Sequence, residues 1–259
     1  MTRVALVTGA ARGIGAACVA RLDAEGYAIV AVDRAADDPR LPYAMGTGEQ
    51  LDAVVAGARE AVAVRADTAD ADAMAGAVAI ARERFGGLDA VLACAGVIAG
   101  GVPAWEVPIE QERAVLETDL IGVMTTARVT IPALLQRPQP RTGRFVAIAS
   151  AAATRGLPML AAYCAAKAGV AGLVHALAAE LRGTGVTANA VAPGSTDTPI
   201  LAESARLYDL PGAESFAAQQ PIERLLAPDE VAAMLVWLAG AHAGGVTGAL
   251  IPVDGGLAV

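Results

Sequence analysis

Tyr163 and Lys167 stand four residues apart in Leu160-Ala-Ala-Tyr-Cys-Ala-Ala-Lys167. On a helix that spacing stacks the two side chains on one face, so a phenol and an ammonium share one microenvironment. A tyrosine ordinarily ionises near pH ~10, and each unit of downward shift takes about 1.4 kcal/mol of differential stabilisation. A fixed positive charge a few ångströms away acts in that direction. The pair therefore predicts a phenolate general base that takes a proton from an alcohol. The same spacing also arises in ordinary surface helices, so its meaning depends on the rest of the chain.

At the other end of the sequence, Arg3-Val-Ala-Leu-Val-Thr8 is a short β-branched run. Gly9-Ala-Ala-Arg-Gly13-Ile-Gly15 follows it and opens a helical pattern. Strand, glycine turn and helix start form the context of a dinucleotide-binding fingerprint. Its glycines allow a tight turn and close backbone approach, and the helix N-terminus points free N–H groups at a pyrophosphate. The spacing here is G-x-x-x-G-x-G. Next comes Ala28-Ile-Val-Ala-Val-Asp33, an apolar strand ending in a carboxylate 24 residues after Gly9. Asp33 is placed to hydrogen-bond an adenosine ribose and to repel a 2′-phosphate.

Together these residues resemble the short-chain dehydrogenase/reductase family, over essentially the whole chain. Thr8-Gly-x-x-x-Gly-x-Gly15 matches its cofactor motif, and Asp67, followed by Thr68, matches the acid that contacts adenine. Ala93-Cys-Ala95-Gly96 stands where the family usually has N-N-A-G, so only the second half is kept. Ser150, thirteen residues before Tyr163, matches the catalytic serine. Pro193-Gly194-Ser-Thr196-Asp-Thr198 matches the loop that grips the nicotinamide carboxamide, and Val246-Thr-Gly248 with Val253-Asp-Gly-Gly256 matches the C-terminal signature.

The resemblance implies hydride transfer between an alcohol and NAD. Tyr163 removes the hydroxyl proton, Lys167 lowers the tyrosine's pKa and holds the nicotinamide ribose, and Ser150 stabilises charge on the substrate oxygen. Cofactor contacts are expected from Gly9, Arg12, Gly13, Ile14, Gly15, Asp33, Arg34, Asp67, Thr68, Ala95, Gly96, Tyr163, Lys167, Pro193, Gly194, Thr196 and Thr198. Arg12 and Arg34 also suit a 2′-phosphate, as in relatives that prefer NADP, but Asp33 opposes one by charge. One catalytic position departs from the family. Asp119, in Thr118-Asp119-Leu-Ile-Gly122, replaces an Asn that sits at a helix irregularity and relays through its main-chain carbonyl. That carbonyl survives the change, while the added charge near Lys167 tends to raise the tyrosine's pKa.

Composition narrows the alternatives. Hydrophobic residues make up 55% of the 259 and charged ones only 18%, which suffices for a large aliphatic core. A net charge of −8 argues against nucleic acid and anionic membranes as partners. Cys18, Cys94 and Cys164 fit neither a metal spacing nor a disulfide framework. The first residues form a strand rather than a secretory signal. Val231 to Val253 lacks Asp, Glu, Lys and Arg, but its glycines and Pro252 suit a helix, a turn and a strand better than a membrane span. These features predict a soluble cytoplasmic protein without metal.

Strands are expected near 3–8, 28–32, 61–65, 88–93, 143–149, 186–191 and 248–253. Helices are expected at 13–25, 70–84, 108–135, 158–182 and 228–239. This alternation predicts an α/β, Rossmann-type fold: a doubly wound, seven-stranded parallel sheet flanked by helices in three α/β/α layers. The chain, 1–259, reads as a single domain whose site lies at the carboxyl ends of the strands. His175, twelve residues beyond Tyr163, is expected to serve core or interface packing. Long apolar helices are expected to support a homotetramer, as in the family.

Two segments give the chain its own character. Residues 35–48, with two prolines and two glycines, read as an ordered loop inserted after the second strand. With Ala95-Gly-Val-Ile-Ala-Gly-Gly101, this segment resembles the mycofactocin-dependent branch of the family. That likeness implies an insertion covering NAD, which stays bound while the redox carrier mycofactocin re-oxidises it. A tolerated surface loop is the other reading. Residues 198–226 form an apolar lid that either closes onto the body or faces a hydrophobic alcohol or ketone substrate. An acyl-carrier ketone reductase using NADPH and a non-catalytic NAD-binding protein are the rival functions.

Overall fold

The strands are almost uninterruptedly apolar because both faces of the sheet are covered. A computed structural model describes residues 2–258. Its strands are β1 Val4–Thr8, β2 Ala28–Asp33, β3 Ala61–Arg65, β4 Ala90–Ala93, β5 Arg144–Ile148, β6 Thr187–Pro193 and β7 Leu250–Val253. All pair in parallel, in the order β3-β2-β1-β4-β5-β6-β7. The order reverses between β1 and β4, and the loops leaving those two strands part there to leave a crevice.

The helices are α1 Gly13–Ala24, α2 Gly48–Ala56, α3 Ala71–Phe85, α4 Ile109–Leu116, α5 Gly122–Leu135, α6 Ala161–Glu180, α7 Pro199–Leu207 and α8 Pro228–Ala239. Successive strand residues point to opposite faces. Leu6, Val91 and Phe145 join the core shared with α3, α5 and α6. Their chain neighbours Val7, Leu92 and Val146 join the core shared with α1 and α8. Three layers result. α6 is long and apolar enough to cross a membrane by length and composition, yet it lies on the sheet, packed against β5 and β6.

Three local features differ from the sequence reading. The expected helix 108–135 is α4 and α5 joined by a π-helical turn, Glu117–Ile121, which places Asp119 at the irregularity. α2 and α7 are additional. α2 starts at Thr47, whose hydroxyl accepts from the Gln50 N–H while the Gln50 side chain accepts from the Thr47 N–H. α7 starts at Thr198, whose hydroxyl accepts from Leu201 N–H, with Pro199 in its first turn. Finally, His175 is exposed on α6 and does not pack in the core.

Candidate active site

The carboxyl ends of the strands enclose a cleft of about 520 Å³. Gly9, Asp33, Asp67, Gly96, Ser150 and Pro193, each just beyond a different strand or at its end, all line it. So do Arg12, Gly13, Ile14, Gly15, Arg34, Thr68, Ala95, Tyr163, Lys167, Gly194, Thr196 and Thr198. Asp119 is the exception. It is completely buried behind Lys167 and does not reach the cleft wall.

At the nucleotide end, Thr8 joins two loops: its hydroxyl accepts from the N–H groups of Cys94 and Ala95 at 3.1 and 3.2 Å. Gly9 has φ +65°, and a Cβ there would lie 2.7 Å from Ala95 Cα. A Cβ on Gly15 would collide with the Gly9 carbonyl. Only glycines let these segments pass so closely. Arg12 gives α1 no side-chain cap, so its first N–H groups open onto the cleft and suit a phosphate.

Asp33 is fixed by two backbone donors, Ala11 N–H at 3.0 Å and Ala35 N–H at 2.9 Å. Both arginines that suited a 2′-phosphate are otherwise engaged. Arg34 pairs with Asp38 at 2.8 Å and lies 3.7 Å from Asp67, while Arg12 donates to the Ala44 carbonyl at 3.0 Å. The residues present fit a dinucleotide without that phosphate.

The 35–48 segment lies across this end. Ala36, Met45 and Gly46 join the cleft wall, and a Cβ on Gly46 would stand 2.9 Å from Ala11 Cβ. Leu41 packs with Val97, Ala99 and Val115. The Tyr43 hydroxyl accepts from Ile98 N–H at 2.8 Å, and burial pushes its pKa well up. Asp38 is buried and receives Arg34 and Arg40. Arg40 also reaches Glu117, at 2.5 Å, on the π-helical turn. Hydrogen bonds from Arg40 hold the Asp38 carboxyl far below its usual range.

At the other end, α6 brings Tyr163 and Lys167 to one face, with Lys167 Nζ 5.4 Å from the phenol ring centre. Lys167 is 2% exposed. Its Nζ lies 3.1 Å from Asp119 Oδ2 and donates to the Ile148 carbonyl at 3.4 Å. Asp119 Oδ1 accepts from Val97 N–H at 2.7 Å. Close helix packing permits the ion pair: a Cβ on Gly169 of α6 would meet Leu120 of the π-helical turn at 2.9 Å.

The electrostatics revise one expectation. Burial raises the Tyr163 pKa above its ordinary value; Lys167 and the Ser150 hydrogen bond pull it down, and Asp119 adds to the rise. Burial also raises Asp119, against the pull of Lys167 and of the Val97 N–H. Lys167 is pulled down by burial but ends above its usual value because Asp119 and Tyr163 favour its charge. The lysine's field is thus shared between the phenol and a carboxylate.

Part of the 198–226 segment, expected to be a lid, faces the cleft. Ile200, Leu201, Tyr208, Leu210 and Phe216 line it, while Ile222 is exposed. Tyr208 donates to the Pro158 carbonyl at 2.6 Å, and its ring meets Phe216 edge-on. Gln220, which no motif marked, is buried at the lid's base. Its Oε1 accepts from Ser195 N–H at 2.8 Å and its amide donates to the Arg224 carbonyl at 2.6 Å. That clasp fixes the 193–198 loop against the lid. Cys164, beside Tyr163, takes a hydrogen bond from Leu157 N–H at 3.4 Å.

Comparison with known proteins gives a consistent picture. A family model described as Enoyl-(Acyl carrier protein) reductase matches residues 9–258. Cis-4-hydroxycyclohexanecarboxylate dehydrogenase from Sinomonas cyclohexanicum is 38% identical over 98% of this chain and 96% of its own. The structure superposes on carveol dehydrogenase from Mycobacterium avium in complex with NAD with TM-score 0.93, at 30% identity over 98% and 97% of the two chains. A short chain dehydrogenase from Mycobacterium paratuberculosis bound to NAD gives TM-score 0.87, at 32% identity over 99% and 97%.

Proposed function

The chain belongs to the short-chain dehydrogenase/reductase family, and we propose that it interconverts hydrophobic cyclic secondary alcohols and their ketones with NAD. The observation that carries this reading is a single cleft with Ser150, Tyr163 and Lys167 at one end and Asp33 beside the open start of α1 at the other. The apolar lid and the cyclic alcohols named for two relatives point to the substrate class.

Gly9, Arg12, Gly13, Ile14 and Gly15 would hold the pyrophosphate, and Asp33, Arg34, Asp67 and Thr68 the adenosine. Ala95, Gly96, Pro193, Gly194, Thr196 and Thr198 would border the nicotinamide half. When bound there, NAD supplies the hydride acceptor for oxidation and, reduced, the donor for the reverse reaction. Ser150 positions the carbinol oxygen and stabilises charge developing on it. Tyr163 takes the hydroxyl proton as the carbinol hydrogen leaves with its electron pair, so the alcohol becomes a ketone. Lys167 supplies the positive field that makes the phenolate accessible. Asp119 acts through Lys167 as a positioning residue.

Residues 35–48 serve as a cofactor cover, anchored at Leu41, Tyr43 and the Arg40–Glu117 ion pair. Such a cover favours tightly held NAD re-oxidised in place by an external carrier such as mycofactocin. The remainder of the chain works as one domain with a 198–226 lid. Exposed Ile121 on the π-helical turn and Met124 on α5 support a homotetramer. The NADPH-dependent ketone reductase is the weaker reading, because Asp33 is fixed and Arg34 is paired.

The test is to purify the protein without added nucleotide, denature it, and quantify released NAD(H). Alcohol oxidation is then followed with free NAD⁺ and with an artificial electron acceptor. Near-stoichiometric NAD with turnover on the acceptor is expected. An empty protein that turns over free NAD⁺ would return the insertion to a surface loop. Tyr163→Phe is expected to lower kcat by about 10²- to 10⁴-fold, and an unchanged rate would overturn the base assignment.

A further inference from the structure

Four basic side chains line the cleft: Arg12, Arg34, Lys167 and Arg155. Two have carboxylate partners, Lys167 with Asp119 and Arg34 with Asp38 and Asp67. Arg12 stands at the start of α1, where a cofactor phosphate is expected. Arg155 stands at the opposite end, on the turn that follows Ser150. Its Nη1 donates to the Leu257 main-chain carbonyl at 2.5 Å, and among the described residues no carboxylate forms an ion pair with it.

A guanidinium carries five N–H donors in a fixed fork, so one carbonyl leaves most of them available. The cleft wall beyond the nucleotide end is largely apolar, with Leu157, Leu160, Ile200, Phe216 and Leu257 beside the uncharged polar Ser204, Tyr208 and Gln219. The acidic residues that line the cleft, Asp33 and Asp67, belong to the nucleotide end. Their backbone bonds and the Arg34 contact hold them there. Among the described residues the substrate chamber therefore has one cation without an ion-pair partner and no lining carboxylate, in a chain whose net charge of −8 repels anions elsewhere. A carboxylate meets such a fork with two parallel charge-assisted hydrogen bonds.

We propose that Arg155 is a specificity residue that binds an anionic substituent, a carboxylate, on a cyclic secondary alcohol whose hydroxyl lies at Ser150 and Tyr163. The proposal rests on the dehydrogenase reading above and adds the charge of the substrate to it. The Leu257 contact holds the guanidinium in the chamber wall, so the substrate is gripped at both ends: hydroxyl at the reacting groups, anion at Arg155.

The experiment compares cis-4-hydroxycyclohexanecarboxylate with its neutral primary amide in the parent, Arg155→Met and Arg155→Lys. The parent is expected to favour the carboxylate by about 10-fold or more in kcat/KM. Arg155→Met should erase that preference, mainly through KM, and leave the amide within about two-fold. Arg155→Lys should restore part of it. Equal use of both alcohols by the parent overturns the proposal. So does a parallel loss of both in Arg155→Met, which would make Arg155 only a tie to Leu257.

If neither alcohol is oxidised, the dehydrogenase reading fails for these substrates, and binding decides the subsite separately. Cyclohexanecarboxylate is then titrated into the NAD-loaded protein. Saturable binding lost in Arg155→Met supports the subsite, and no binding to the parent overturns it.

Discussion

Asp119 has one partner at each oxygen, a backbone N–H at 2.7 Å and the Lys167 ammonium at 3.1 Å. The first bond ties the π-helical turn to the loop after β4, and the second withdraws part of the lysine's field from Tyr163. An Asn retains an oxygen for Val97 N–H but removes the charge. Oxidation requires the phenolate, so its rate rises with pH through the apparent pKa of the coupled Tyr163–Lys167–Asp119 set. Since Asp119 raises the Tyr163 pKa, Asp119→Asn is expected to move that limb to lower pH, by about one unit. A pH series of kcat for alcohol oxidation checks this, and coincident limbs would show that the charge does not reach the phenol. Thermal stability should fall in the same variant, because Lys167 is left buried without its counter-ion.

At the scale of elements, the 35–48 segment and residues 198–226 both contribute to the cleft wall. The insertion's own chemistry announced an ordered loop: prolines, turn residues and no sustained apolar period. What it packs against was not legible, because Leu41, Tyr43 and Arg40 find partners more than fifty residues away in the loop after β4, in α4 and on the π-helical turn. α2 escaped notice since it is nine residues long with one fully buried side chain, Leu51. α7 was hidden inside a lid read only for its apolarity. Gly46 marks where the insertion presses on the fingerprint turn. A Cβ there would meet Ala11 Cβ at 2.9 Å and Asp33 Oδ1 at 3.3 Å. Gly46→Ala is expected to lift the cover and weaken NAD(H) binding by about 10-fold, the equivalent of ~1.4 kcal/mol. Fluorescence titration of NADH measures it, and unchanged affinity would detach the insertion from cofactor binding.

For the molecule as a whole, the sheet both stabilises the chain and gathers the site. Phe145 is fully buried on β5, which leads directly to Ser150. Phe145→Ala is expected to cost about 3–5 kcal/mol, from lost burial and the cavity left behind. Denaturant unfolding should show that loss while KM for the alcohol stays near the parent's at low temperature. A large KM change would mean that β5 sets the Ser150 geometry as well as stability.

The sequence by itself determined the parallel sheet, the position of the cleft and, Asp119 excepted, the catalytic and cofactor-contact residues that line it. Those follow from local rules: apolar runs make buried strands, glycines make the turn, and residues at strand ends share one edge of a parallel sheet. Tertiary structure alone decided three things. It turned the expected nearness of Asp119 to Lys167 into a direct ion pair at 3.1 Å, through a π-helical turn and the close approach at Gly169. It turned Arg12 and Arg34 toward the insertion, where the Ala44 carbonyl and carboxylates engage them. It also set Arg155 in the cleft wall, against the carbonyl of Leu257. Each depends on which distant groups meet a long, charged side chain, and that is fixed by packing across the sheet rather than by spacing along the chain.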